Sequence, residues 1–167
     1  GYIRFDSPIL TPNACEGTTD LFEIDYFGRP AYLSQSGQLY LEAAIMSLGK
    51  VYDFGPVFRA EKSKTRRHLN EFWMLDVECA FMDLDEMMDF QERLVMSVIG
   101  YMLENARQEL ELAERDISKL EIIKAPFERL SYDEAVERLQ GLGSDIQWGE
   151  DFGNDDEDIL FKEGDQP

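Results

Sequence analysis

The sequence contains few cysteines and no long hydrophobic run. Cys15 and Cys79 are its only cysteines, too few and too far apart for a disulfide framework or a zinc cluster. We therefore expect two reduced thiols and no metal site within the chain. No run of about 18 apolar residues occurs, so no membrane helix is expected. A basic, apolar leader is also missing, which argues against secretion and favours a cytoplasmic protein.

Basic residues are scarce as well, but they are unevenly placed. The 167 residues contain 16 Lys and Arg against 35 Asp and Glu, a formal net charge of −19. This acidity argues against a broad nucleic-acid-binding surface. Five of the 16 basic residues nevertheless fall between Arg59 and Arg67, and the only histidine, His68, follows them. Such a cationic loop between two strands suits a polyanionic ligand such as a nucleoside triphosphate.

The hydrophobic pattern predicts an α+β fold with a mostly antiparallel sheet flanked by helices, because strand-like segments precede helical ones. We expect a single domain over residues 1–167. A turn at Gly28-Arg29-Pro30 would join two strands into a hairpin. Alternation predicts strands over residues 2–10, 21–27, 30–35, 51–61 and 72–81.

Helical patterns occupy the rest of the chain. The first helix is expected over residues 36–48, with Ser36 as N-cap and Gly49 as the C-terminal stop. A second begins at an Asp83–Glu86 capping box and continues as one apolar stripe to about Leu112. Ser131 and Glu134 cap a further helix that ends near Gly141. Residues 145–167 are strongly acidic, and we expect a solvated loop or fraying end there.

Strand alternation brings chemically useful side chains together around the basic loop. Arg59 and Glu61 share one face of their strand, and Phe72 and Asp76 share a face of the returning strand with Met74 and Glu78. Arginine can clamp a phosphate or carboxylate, a carboxylate can hold an ammonium or adenine amino group, and a phenyl ring can stack on a base. The alternative is a plain Arg59–Glu61 ion pair with Phe72 in the core.

Several separated motifs resemble one family. FRAE, RHL and EFWM resemble motif 2 of class II aminoacyl-tRNA synthetases, in the form found in the aspartyl and asparaginyl branch. GYIRFDSPIL is similar to the closing half of motif 1, CEG with TTDLF to a mobile loop over the amino acid, and LSQSGQLYLEAAIM to a helix start that offers a glutamine. SYDEAVERLQ and WGEDFGNDDEDIL resemble segments between motifs 2 and 3. The resemblance implies an incomplete class II catalytic core in residues 1–167, with motif 3 and the anticodon-binding domain outside.

The resemblance also implies a role for individual residues. Arg59 would be the catalytic residue, binding the ATP α-phosphate and the amino-acid carboxylate. The remaining ATP contacts would come from Ala60 and Glu61 at the adenine amino group, Arg67, His68 and Leu69 along the triphosphate, and Phe72 stacked on adenine. Glu16 and Asp76 would hold the α-ammonium and Gln38 the substrate. Mg²⁺ would share the phosphate charge, with ligands outside this chain.

The family's aspartyl members usually have a lysine three residues after the glutamine, where this chain has Leu41. A buried substrate carboxylate without a cation would cost several kcal/mol. Asparagine is therefore favoured, and the resemblance implies an ATP-dependent asparagine–tRNA ligase that charges tRNA(Asn) and forms a homodimer through motif 1. We expect residues 1–167 alone to have little or no ligase activity. An aspartyl-type or non-discriminating ligase, a tRNA-independent amide-forming paralogue and a non-catalytic amino-acid- or nucleotide-binding module remain alternatives.

Overall fold

A computed structural model describes residues 1–15, 21–61 and 69–163. The chain divides into two compact units, Gly1–Met82 and Asp83–Pro167. In the described part of the chain, three of the four strand pairings are antiparallel, as the sequence predicts. No helix in those described ranges combines the length and the apolar character that a membrane span requires.

The larger sheet of the first unit is built on a long hairpin. Strands β5 (Lys50–Phe58) and β6 (Glu71–Cys79) pair antiparallel, and β1 (Ile3–Arg4) pairs in parallel with β5. The expectation of one strand over residues 2–10 was wrong, because β1 ends at Arg4 and Leu10 begins another strand. Ser7 lies between them, and its backbone N–H donates to Asp53 Oδ2 at 3.1 Å rather than to a neighbouring strand. Pro8 has no N–H to donate.

The second sheet has the strand order β2-β4-β3, formed by β2 (Leu10–Thr11), β4 (Arg29–Leu33) and β3 (Glu23–Tyr26). The turn between β3 and β4 is Phe27-Gly28, so the predicted turn at Gly28-Arg29-Pro30 was one residue late. Both turn residues have positive φ, 54° and 77°, which suits the twist of a two-residue hairpin. The Asp25 carboxylate accepts a hydrogen bond from Gly28 N at 2.7 Å and stabilises the turn.

Helix α1 (Gln38–Leu48) packs on the larger sheet through a small core. Leu41 and Ala44 from the helix contact Val51 of β5, and Phe5 and Ile45 pack around them. Gly49 ends the helix with φ 77°, as predicted. Gly37 rather than Ser36 is the N-cap, although the Ser36 hydroxyl does accept a hydrogen bond from Gln38 N at 3.0 Å.

The second unit is helical. Its helices are α2 (Leu84–Asn105), α3 (Arg107–Leu112), α4 (Ser118–Glu121), α5 (Tyr132–Gly141) and α6 (Asn154–Glu163). Both predicted capping boxes are present, at Asp83–Glu86 and Ser131–Glu134. The single helix expected up to Leu112 is interrupted at Ala106, whose φ of −127° is not helical.

Residues 145–153 form a loop, as expected, but helix α6 occupies residues 154–163, where a loop or fraying end was expected. Its apolar residues Ile159 and Leu160 pack against a buried cluster that includes Leu139 of α5. Three of the acidic residues that suggested a solvated loop, Asp155, Asp156 and Glu157, lie in the first turn of α6, where the helix dipole favours negative charge. Apolar burial and helix-end electrostatics therefore both favour a helix.

Candidate functional site

One face of the β5–β6 hairpin, here called the site face, collects the predicted side chains. Residues directly opposite each other in an antiparallel pair point to the same side of the sheet. The register therefore confirms the predicted alignment of Phe72, Met74, Asp76 and Glu78. Their partners are Val57 opposite Phe72, Gly55 opposite Met74, Asp53 opposite Asp76 and Val51 opposite Glu78.

Arg59 follows β5 rather than lying within it. The prediction of a strand through residue 61 was wrong, since β5 ends at Phe58. Beyond the end of β5, Asn70 makes the hydrogen bonds that hold the backbone. Its carbonyl accepts from Arg59 N at 2.9 Å, and its amide Nδ2 donates to the carbonyls of Arg59 and Glu61 at 2.8 and 2.9 Å. Asn70 thus fixes the backbone of Arg59, Ala60 and Glu61, three of the predicted ATP contacts, a role that asparagine's tendency to hydrogen-bond local backbone groups could have indicated.

The Arg59 guanidinium lies over the Phe72 ring, with Cζ 5.8 Å from the ring centroid. This separation is within the range of a cation–π interaction. Phe72 is half-buried rather than a member of the core. A cation and an aromatic face therefore stand side by side at the loop end of the site face.

Asp76 connects the site face to the start of α1. Its Oδ2 accepts from Gly37 N at 2.7 Å and from Ser36 Oγ at 3.1 Å. The Gly37 position is tightly enclosed, because a Cβ there would lie 2.7 Å from both Asp53 Oδ2 and Ser7 Oγ. The helix start is thus held between two carboxylates that oppose each other across the hairpin.

A cavity of about 210 Å³ opens beside this junction, with Asp53, Asp76, Gly37, Ser7 and Met74 among its lining residues. Sequence reasoning missed Asp53. Side-chain alternation along β5 predicts that Asp53 lies on the same face as Arg59, but only the strand register shows that it lies opposite Asp76.

The Gln38 side chain is held at both ends of its amide. Its Nε2 donates to Glu42 Oε1 at 3.0 Å, and the Cys15 thiol donates to its Oε1 over 3.5 Å. Cys15 N in turn donates to Gln35 Oε1 at 3.2 Å. Glu42 was missed from the sequence, although its i+4 spacing from Gln38 on a helix was a usable signal.

Glu78 is the acidic residue most affected by this environment. Burial raises the pKa of its carboxyl group above 4.5, and the negative charges of Glu42 and Asp76 raise it further. Ionising Glu78 is therefore less favourable in the folded protein than in the unfolded chain.

Some predicted residues cannot be placed. Glu16, Arg67 and His68 lie outside the described residues. Leu69 is 64% exposed and Ala60 half-buried at the loop end of the site face. Within residues 1–15, 21–61 and 69–163, no three His, Cys, Asp or Glu side chains are arranged to hold one metal ion.

Comparisons with known proteins give a consistent result. The model of the family described as tRNA synthetases class II (D, K and N) matches residues 1–163. The asparagine–tRNA ligase of Desulforamulus reducens is 60% identical over 162 residues, covering 97% of this chain and 38% of that protein. The asparagine–tRNA ligase of Koribacter versatilis is 54% identical over 173 residues, covering 100% and 39%.

A solved structure is similar over the same range. Asparaginyl-tRNA synthetase from Pyrococcus horikoshii, complexed with asparaginyl-adenylate, superposes with a TM-score of 0.94 and 48% identity. The match covers 99% of this chain and 38% of that one. The chain thus spans less than two fifths of the length of each of these three relatives.

The close packing at Gly37 predicts the effect of a single methyl group. Gly37→Ala should displace Asp53 or Ser7, break the Ser7 N–H bond to Asp53, and lower the free energy of unfolding by about 1–2 kcal/mol. Gly55→Ala is the matched control, because a Cβ there meets Asp53 Oδ1 at an ordinary 3.5 Å. Urea unfolding followed by circular dichroism measures both. Equal effects of the two substitutions would contradict this account of the junction.

The raised pKa of Glu78 predicts a pH dependence of stability. Between pH 4.5 and its raised pKa, the folded state binds more protons than the unfolded state, so the free energy of unfolding falls as pH rises through this interval and stays lower above it. Glu78→Gln should remove this fall. Urea unfolding at several pH values measures the effect, with Glu71→Gln on the same strand as control. An unchanged pH profile in Glu78→Gln would refute the assignment.

Proposed function

The chain belongs to the class II tRNA synthetases of the D, K and N group, and we propose that it forms part of the catalytic domain of an asparagine–tRNA ligase. The observation that carries the proposal is the close structural match, over almost the whole chain, to a synthetase complexed with asparaginyl-adenylate. The full-length ligase would activate asparagine with ATP and transfer it to tRNA(Asn).

The proposed first step needs no nucleophilic side chain. The asparagine α-carboxylate oxygen attacks the α-phosphorus of ATP, a new oxygen–phosphorus bond forms a mixed carboxylic–phosphoric anhydride, and the bond from that phosphorus to the α–β bridging oxygen breaks. Pyrophosphate leaves with the electron pair, and asparaginyl-adenylate remains. Catalysis of such a step rests on positioning and on neutralising negative charge.

Arg59 supplies the positive charge that neutralises this negative charge. Its guanidinium can donate to the α-phosphate and to the attacking carboxylate together, because the planar group carries several donors in a fixed geometry. The neighbouring Phe72 ring, 5.8 Å from Cζ, offers a surface on which adenine would stack. Their proximity on the site face supports both roles.

The adenine amino group would be held by Glu61 with the backbone at Ala60. The two hydrogen bonds from Asn70 to the carbonyls of Arg59 and Glu61 support this role by fixing the backbone on each side of Ala60. Arg67, His68 and Leu69 would lie along the triphosphate.

The amino-acid side of the site lies toward α1. Asp76, with Glu16, would receive the α-ammonium, and Gln38 would hydrogen-bond the substrate. Leu41 is 0% exposed and belongs to the core with Ala44 and Val51. The position that carries lysine in aspartyl relatives therefore serves packing, which supports a neutral carboxamide substrate over a carboxylate.

The remaining partners also belong to the full-length protein. Residues 1–10 would contribute to a homodimer interface through the motif 1 resemblance. Mg²⁺ is expected with ATP, but the described residues offer no cluster of three ligands for it. No step is therefore assigned to a metal bound by this chain.

Removing the Arg59 guanidinium tests the proposal in the full-length protein. Arg59→Ala should lower asparagine-dependent ATP–pyrophosphate exchange by about a hundred-fold or more, because both phosphate and carboxylate lose their donor. Arg59→Lys should recover only part of the activity, since an ammonium cannot bind bidentately. Arg29→Ala, an exposed arginine on β4, is the control. Retained exchange in Arg59→Ala, or simple loss of the fold, would make Arg59 a structural residue.

A further inference from the structure

The orientation of the Gln38 amide is set by its neighbour on α1. Glu42 Oε1 lies 3.0 Å from Gln38 Nε2, and an ionised carboxylate can only accept hydrogen bonds. The NH₂ end of Gln38 must therefore face Glu42, and the oxygen end must point the other way. The Cys15 thiol lies on that side, 3.5 Å from Oε1.

The backbone of Gln38 is fixed as well. Gln38 N donates to Ser36 Oγ at 3.0 Å, and Ser36 Oγ donates to Asp76 Oδ2 at 3.1 Å. The side chain therefore leaves α1 from a fixed point next to the site face. A carbonyl oxygen has two lone pairs, so Oε1 can accept from Cys15 and still accept from a ligand.

Carboxylates lie around this end of the site face. Glu42 and Asp76 are close enough to Glu78 to raise its pKa, which places three carboxylates on facing parts of α1 and β6. Leu41, the neighbour of Glu42 in sequence, is buried in the core and brings no charge. A ligand group that donates hydrogen bonds is favoured here, and an anionic group is repelled.

We propose that Glu42 is a positioning residue that turns the Gln38 oxygen toward the substrate and thereby selects asparagine against aspartate. Asparagine offers an ammonium and a carboxamide NH₂ to this surface, whereas the second carboxylate of aspartate offers only acceptors and a negative charge. The inference rests on the proposed function and extends it to the choice of amino acid.

Glu42→Gln in the full-length protein tests the proposal. Glutamine keeps the size of the side chain but removes its charge, and its amide can either donate or accept, so Gln38 is no longer held in one orientation. The ratio of kcat/KM for asparagine to kcat/KM for aspartate, measured by ATP–pyrophosphate exchange, should fall about ten-fold, the scale of one charge-assisted hydrogen bond. The KM for asparagine should rise more than kcat falls.

Two further variants keep the result interpretable. Glu42→Ala removes the hydrogen bond and the charge together and should lower the ratio at least as much. Glu23→Gln, an exposed acid on β3, removes the same charge elsewhere in the first unit and should leave the ratio unchanged. A fall in kcat/KM by the same factor for both amino acids in Glu42→Gln and Glu42→Ala would reduce Glu42 to a structural residue and overturn the proposal.

The unmodified protein separates this inference from the proposed function. If it exchanges pyrophosphate with asparagine and both Glu42 variants keep its discrimination, the inference fails and the proposed function stands. If it shows no asparagine-dependent exchange, the proposed function fails and the inference falls with it.

Discussion

The Asp76 carboxylate joins strand β6 to the start of helix α1, and the rest of the site depends on this link. The first N–H groups of a helix have no partner within the helix, and a carboxylate there also gains from the helix dipole. Asp76 receives Gly37 N and Ser36 Oγ, so the helix start is fixed relative to the sheet. Gln38 is the next residue, and its position relative to Arg59 and Phe72 follows from this link.

The link brings negative charges close together. Asp53 opposes Asp76 across the hairpin, and Glu42 and Glu78 lie nearby. Asp53 and Asp76 each accept backbone N–H groups, which offsets part of their repulsion. Burial, and after it the charges of Glu42 and Asp76, raise the pKa of the Glu78 carboxyl group. Unfavourable charge arrangements of this kind are typical of binding sites, where the stability lost is recovered when a complementary ligand binds.

Local patterns predicted the features that depend on neighbouring residues. The two capping boxes, the end of α1 at Gly49 and the side-chain parity of β6 all follow from residues within a few positions of one another. The missed features depend on distant partners, because Ser7 binds Asp53 over 46 residues and Gly37 binds Asp76 over 39. Such pairs decided the end of β1 and the N-cap of α1. Helix α6 was missed because its many acidic residues suggested a solvated segment and outweighed the signal of Ile159 and Leu160, the two apolar residues that pack on α5.

The site face changes character along its length. At the loop end, Arg59 supplies positive charge beside the Phe72 ring, and toward α1 the described residues include the carboxylates of Asp53, Asp76 and Glu78. Phe72 and Asp76 lie about 13 Å apart along β6, at roughly 3.3 Å per residue. The long Arg59 side chain can reach across part of this distance. An α-amino acid carries its carboxylate and its ammonium on the same carbon, so such a gradient would turn the carboxylate of a bound amino acid toward Arg59 and its ammonium toward the acidic residues. In the proposed reaction, the same orientation would direct the carboxylate toward the phosphate that Arg59 would hold, so substrate binding and the geometry of attack would have one electrostatic cause.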